Sequence, residues 1–298
     1  MAVPTGVPCG DRRGDLLGPA QRAIGVHAFA GGGLARSALS YVDKLGARAV
    51  QVYIGNPRGW AQAVGDPHQD RLFVDGCAER GIPSYIHAPL LVNLGSPTQP
   101  TVAKSIEALT HAVARGKAVG AQGVVFHAGS SVDAAHTDRA WKQVREALLP
   151  LLDAASSLGG PRLLVEPSAG GGRSLAARVE DLAGYFEAVD HHPWLGVCFD
   201  TCHAWAAGHD LAQPGGVTAT LDALVAAVGP GRLKLVHAND SKDPVGSLRD
   251  RHEAIGRGTI GCAAFRELLT HPAVAGVPLI VETPGETQAD DLALLRSL

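Results

Sequence analysis

The residues able to do chemistry fall at the ends of apolar runs. The run 195–199 gives way to Asp200, and His203 follows three residues later. An Asp and a His three apart, where a strand turns into a helix or loop, can both face one cavity. A buried carboxylate and a buried imidazole each need a partner, and a divalent metal suits both. The pattern recurs along the chain: apolar runs close in His87, His127, Glu166, Asp200, His237 and Glu282, and the first run closes in His27. One polar residue closing a strand is usually a turn former or a cap. Six in succession are hard to explain as structure. Brought together without cations, the carboxylates would repel and the imidazoles would be desolvated. A further cluster, Asp250-Arg251-His252, places an acid and an imidazole two residues apart. In an extended segment such residues point the same way, so both can hold one ion with His203 as a third donor.

Nine donors result: His87, His127, His203, His237, His252, Glu166, Asp200, Asp250 and Glu282. One ion does not need nine, and shared carboxylates could serve two or three. Mixed imidazole and carboxylate ligands without cysteine suit zinc at an open catalytic site, or manganese or iron. Three dications would take the chain's formal charge from −3 to +3. The result is a focused positive pocket on a nearly neutral protein, as a phosphodiester substrate requires.

The elements that must position these donors follow from the spacing. Eight strands are expected at 23–27, 49–54, 84–87, 123–127, 162–166, 196–200, 233–237 and 278–282. Helical faces lie between them. Val102, Ile106, Leu109 and Val113 form one face, ended by Gly120. Trp141, Val144, Leu148 and Leu151 form another, and Leu221, Leu224, Val225 and Val228 a third, ended by Gly229. Eight strand–helix units predict a parallel (β/α)8 TIM barrel, whose strand C-termini converge on one face. A doubly wound open sheet is the alternative. Residues 1–21, rich in Gly and Pro, read as a flexible tail ahead of a single barrel domain over 22–298. The tail has no apolar core for a signal peptide, and no segment reads as a membrane span. Five cysteines without a Cys-x-x-Cys pair indicate reduced thiols and a cytoplasmic protein.

These residues resemble endonuclease IV, the zinc-dependent apurinic/apyrimidinic (AP) endonuclease family 2. The resemblance is carried by Gly196 to His203, by His237-Ala238-Asn239-Asp240-Ser241, and by Gly246-Ser247 with Asp250-Arg251-His252. It continues in Gly256-x-Gly258-x-Ile260-Gly261, in His87 with Asn93-Leu94, in His127-x-Gly129-Ser130, in Glu166 and in Val281-Glu282-Thr283. It implies three zinc ions: one on His87, His127 and Glu166; a second on Glu166, Asp200, His237 and Glu282; a third on His203, Asp250 and His252. It implies hydrolysis of duplex DNA on the 5′ side of abasic sites, leaving a 3′-hydroxyl, with removal of 3′ blocking groups as a related activity. Glu282 and Glu166 would be the catalytic carboxylates, Glu282 orienting the attacking water. Arg58, in Asn56-Pro57-Arg58-Gly59-Trp60, and Leu90 and Leu91 would contact DNA. A monomer is implied, with no membrane or protein partner.

Three departures stand out. Leu90 replaces a frequent aromatic, Pro167-Ser168 replaces Asn-Thr after the bridging Glu, and Gly171 replaces a polar residue. The Pro167 change suggests a lost or rerouted hydrogen bond. Competing readings are a metal-dependent sugar isomerase or epimerase on the same barrel, which would leave His203, Asp250 and His252 idle, and a non-catalytic abasic-DNA-binding protein.

Overall fold

Alternation inside and outside a closed wall organises the fold. The computed structural model describes residues 22–298; the tail expected at 1–21 lies outside the described residues. The barrel strands are Ile24–Ala28 (β1), Val50–Tyr53 (β2), Ser84–His87 (β3), Gly123–His127 (β4), Arg162–Glu166 (β5), Leu195–Asp200 (β6) and Leu233–His237 (β7). After a two-stranded ribbon of Asp240–Ser241 (β8) and His252–Glu253 (β9), Leu279–Val281 (β10) completes the set. All neighbours pair in parallel, in the closed order β1-β10-β7-β6-β5-β4-β3-β2. The open-sheet alternative is therefore excluded. Helices Ser40–Leu45 (α1), Pro67–Arg80 (α2), Gln99–Ala118 (α3), Thr137–Ser157 (α4), Leu182–Ala188 (α5), Thr201–Ala206 (α6), Gly216–Val228 (α7), Cys262–Thr270 (α8) and Gln288–Ser297 (α9) surround it. Among the described residues no helix is long and apolar enough to cross a membrane.

The three helical faces expected from spacing lie on α3, α4 and α7. Val102 and Leu109, Val144 and Leu148, and Leu221 and Leu224 are buried there. Inside the barrel, Tyr85, Val125, Leu164, Cys198, Leu235 and Ile280, one from each of six strands, form a ring with Ala49, the residue just before β2. Side chains alternate along a strand with period two. The next inward position on each of these strands is therefore Gln51, His87, His127, Glu166, Asp200, His237 and Glu282. The apolar ring is the floor of the chemistry. At β1 the wall is unusually close: a Cβ at Gly25 would collide with the backbone of Ala49, so this approach requires glycine.

Strand boundaries differ from expectation by about one residue. Residues β1 and β10 begin one position late, and Glu282 lies one residue past β10. Its backbone N–H is instead bonded to Asn239 Oδ1 at 2.8 Å. The ribbon β8–β9, not foreseen, pairs Ser241 with His252 and so brings that imidazole back over the barrel mouth.

Candidate metal centre

Each donor is set by a local device. Asp200 is both the last residue of β6 and the N-cap of α6. Its Oδ1 accepts the His203 N–H at 2.9 Å, which places His203 in the first helical turn. Its Oδ2 accepts from Asn239 Nδ2 at 2.8 Å. Asn239 thereby ties Asp200 to Glu282, and Thr201 Oγ1 fixes Asn239 through both its carbonyl and its N–H.

The segment carrying Asp250 and His252 belongs to a long loop, and the loop is wrapped on Asp240. The buried carboxylate of Asp240 accepts five backbone N–H groups: Ser241 and Ile260 on Oδ1, and Gly256, Gly258 and Gly261 on Oδ2, at 2.8–3.2 Å. A Cβ at Gly258 would strike that carboxylate and the Ser241 carbonyl, which explains the glycine. Arg251 closes the other side of the loop with a bidentate bond to Asp243.

At the centre lies Glu166, 1% exposed. Its Oε1 is 3.0 Å from His237 Nδ1 and 3.3 Å from His203 Nδ1; its Oε2 is 3.2 Å from His87 Nε2 and 3.5 Å from His127 Nε2. Asp250 bridges outward, 3.2 Å from His203 Nε2 and 2.9 Å from His252 Nε2. Glu282 Oε2 is 3.3 Å from His237 Nδ1. Four of the five rings have their other nitrogen occupied: His87 Nδ1 by Ala88 O, His203 Nδ1 by Pro167 O, His252 Nδ1 by Glu282 O, and His237 Nε2 by Gln51 Oε1. Ring orientation is thus set from behind, as metal-binding histidines require.

The electrostatics are those of a charged cluster. Burial would raise the Glu282 carboxyl, but His237 and His27 outweigh it and hold it below the ordinary carboxylate range. Burial likewise opposes ionisation of Glu166, and His237, His87 and His203 override it. Burial works against protonation of His203 and His237, yet the surrounding acids hold both well above the usual imidazole value. His252 is raised to about 9, burial being outweighed by its Asp250 hydrogen bond and Asp200. His127, where burial prevails, is pushed down to about 4.

The donor atoms fit metal ions. His87, His127 and Glu166 have donors within 4.8 Å of one another. So do Asp200, His237 and Glu282, and so do Asp200, His203 and His252. His252 Nε2 is directed at this cluster, 2.9 Å from Asp250 Oδ1 and 3.8 Å from Asp200 Oδ2. A cavity of about 660 Å³ opens over the donors, walled also by Tyr53, Leu90 and Phe29.

The Xylose isomerase-like TIM barrel family model matches residues 39–298. A probable endonuclease 4 from Streptomyces coelicolor is 53% identical over 277 residues, covering 92% of this chain and 94% of that protein. The chain belongs to the endonuclease IV family. The crystal structure of endonuclease IV from Thermus thermophilus superposes with a TM-score of 0.80 at 35% identity, covering 92% of this chain and 98% of that one. A 3-keto-D-glucoside 4-epimerase from E. coli, 17% identical with a TM-score of 0.68 over 93% of this chain and 100% of that one, shares the fold. As a member of the endonuclease IV family the chain is an enzyme, a hydrolase of the nuclease class.

All nine expected donors meet at the barrel mouth, whereas Arg58, Leu90 and Leu91 stand on its rim. Arg58 is exposed in a turn closed by Asn56 Oδ1, and Leu90 N–H donates to Pro57 O at 2.8 Å, tying the two rim loops together. Trp60 packs against the core. One residue of the site, Gln51, escaped the sequence reading, and another, His27, was given no role in it. Gln51 is wholly buried between Glu282 and His237, and His27 Nδ1 lies 2.6 Å from Glu282 Oε1. His27 was visible as a strand end. Gln51 was legible only by counting two residues from the inward-facing Ala49. The Pro167 departure costs no contact on the backbone side, because its carbonyl receives the His203 ring.

Proposed function

We propose that this enzyme hydrolyses the phosphodiester on the 5′ side of abasic sites in duplex DNA, leaving a 3′-hydroxyl, and trims 3′ blocking groups at the same site. Three zinc ions serve it. His87, His127 and Glu166 hold the first; Glu166, Asp200, His237 and Glu282 the second; His203, Asp250 and His252 the third. One observation carries the reading: the third donor set, borne by α6 and the loop wrapped on Asp240, converges on the two sets at the strand ends. A mono- or dinuclear sugar isomerase on this barrel leaves that third set without a task.

Zinc held there supplies Lewis acidity to the phosphate and the leaving oxygen, and renders water nucleophilic at neutral pH. The protein's part is orientation. Glu282 stays ionised under His237 and His27 and accepts a hydrogen bond from the attacking water, aligning it in line with the scissile bond. Glu166 keeps the imidazoles of three strands and α6 in one arrangement. The cavity takes a sugar–phosphate lacking its base, whose extrusion from the stack is least costly where no base is lost. Arg58, Leu90 and Leu91 engage the duplex from the rim. Phe29, 81% exposed, lines the same cavity as Leu90.

The test is a duplex with one abasic-site analogue beside an intact duplex, each incubated with protein before and after chelation, with zinc counted on the same sample. Cutting confined to the abasic site, with about three zinc ions per chain, is expected. Bound zinc with neither duplex cut would sink the proposal.

A further inference from the structure

Gln51 is the one neutral side chain in the layer of metal-capable donors, and its position there is dictated by the same alternation that places the others. It is 0% exposed. Its amide nitrogen lies 2.9 Å from Glu282 Oε1, and its amide oxygen 3.0 Å from His237 Nε2. An ionised carboxylate only accepts hydrogen bonds. The Gln51 NH2 must therefore face Glu282, because the reverse orientation would set two acceptors against each other. That leaves the amide oxygen facing His237, and an oxygen there requires a proton on Nε2. With Nε2 protonated, His237 presents the lone pair of Nδ1, the nitrogen that faces Glu166, Glu282 and Asp200. His27 Nδ1, 2.6 Å from Glu282 Oε1, joins Gln51 on the same oxygen and leaves Oε2 directed at the donor cluster.

We propose that Gln51 is a positioning residue for the second metal: it fixes the tautomer of His237 and the rotamer of Glu282 together, so that two ligands of one ion are set by one amide. The inference rests on the metal assignment above. Gln51 differs from the groups behind the other ligand rings. His87, His203 and His252 are held by backbone carbonyls, which no substitution removes. His237 alone among these is held by a side chain.

The experiment uses the whole chain and zinc alone as the probe. Gln51→Leu removes both hydrogen bonds at nearly constant volume. Gln51→Asn keeps the amide and withdraws it by one carbon. Zinc retention is measured against a competing chelator, with metal per chain counted. In parallel, the ring nitrogens of metal-free, ¹⁵N-histidine-labelled protein, titrated to a pH at which His237 has become neutral, report the His237 tautomer. Loss of a supporting partner behind a ligand typically weakens metal by about 10–100-fold. The expected result is a loss of that size for one ion per chain in both variants, with His237 shifting from the Nε2–H form to a mixture. Thermal melting of the metal-free variants should stay near that of the unaltered protein. Unchanged zinc retention in both variants, or an unchanged tautomer, overturns the proposal. So does a loss of zinc matched by a collapse of the metal-free fold in both variants, which would mark Gln51 as packing alone. Unaltered protein that retains zinc but cuts no abasic duplex overturns the functional reading and leaves the Gln51 measurement intact.

Discussion

The donor cluster is built in two ways. Its inner half, His87, His127, Glu166, Asp200 and His237, is carried on five adjacent strands of a closed barrel. Closure fixes those positions to the precision of the hydrogen-bonded wall, and all but His127 are fully buried. Its outer half, Asp250 and His252, sits on a loop, and the Asp250 side chain is 47% exposed. Its only regular structure is the two-residue ribbon β8–β9. A carboxylate fixes the rest, by gathering five N–H groups at Asp240. Rigid placement of a functional group thus needs satisfied backbone and not regular secondary structure.

The contrast can be broken from either side. Removing the centre of the inner half should have the largest effect. Glu166→Ala leaves four imidazoles without their shared acid, and strand cutting should fall on the order of 10⁴-fold or to background, with most zinc lost. Retained metal and a tenfold loss would mean that Glu166 does not bridge. Attacking the outer half at its anchor comes next. Asp240→Ala orphans five N–H groups in a buried turn, and each such group costs about 1–3 kcal/mol unless water reaches it. A loss of at least about 3 kcal/mol in denaturant unfolding is expected, with one zinc lost per chain and the inner ions kept. Loss of all metal at once would show the halves to be one cooperative unit.

Protonation sharpens the same comparison. His203, His237 and His252 are held above the ordinary imidazole value and are charged near neutrality in the metal-free protein. Zinc must displace those protons, so its affinity should rise with pH by up to about tenfold per unit for each proton released. Titration calorimetry in buffers of different protonation enthalpy counts them. For metal-free stability, raised histidines contribute fully below about pH 6.5 and lose that contribution as pH climbs through their folded values. His127 acts in reverse. Its value falls to about 4, so its contribution is complete above about pH 6.5 and disappears as pH drops towards 4. The smallest effect belongs to the rim. Leu90→Ala or Arg58→Ala should weaken binding to an abasic duplex about tenfold or less, with the zinc count unchanged, as read by anisotropy with chelated enzyme.

The inner half was legible in the sequence because its donors close apolar runs, and barrel topology turns strand ends into one place. The outer half was legible through the Asp-x-His pair and its motif. The anchor was harder to see. Asp240 lies in a matching motif with no evident task, because nothing local says that glycines sixteen to twenty-one residues later will bring their N–H groups back to it. Gln51 was passed over for a related reason. A lone amide in a strand is unremarkable until the strands are aligned on their inward ring. Pro167-Ser168 suggests a hydrogen bond lost or rerouted; the backbone contact there, from the His203 ring to the Pro167 carbonyl, is one that proline retains.

Asp240 occupies the place that a bound anion takes in a nest of backbone amides. The chain therefore carries its own anion. Its loop should not await a ligand to become ordered, and the amide protons of Ser241, Gly256, Gly258, Ile260 and Gly261, all but one outside any strand or helix, should exchange slowly with solvent. The most exposed ligand of the site hangs from a turn closed on its own carboxylate.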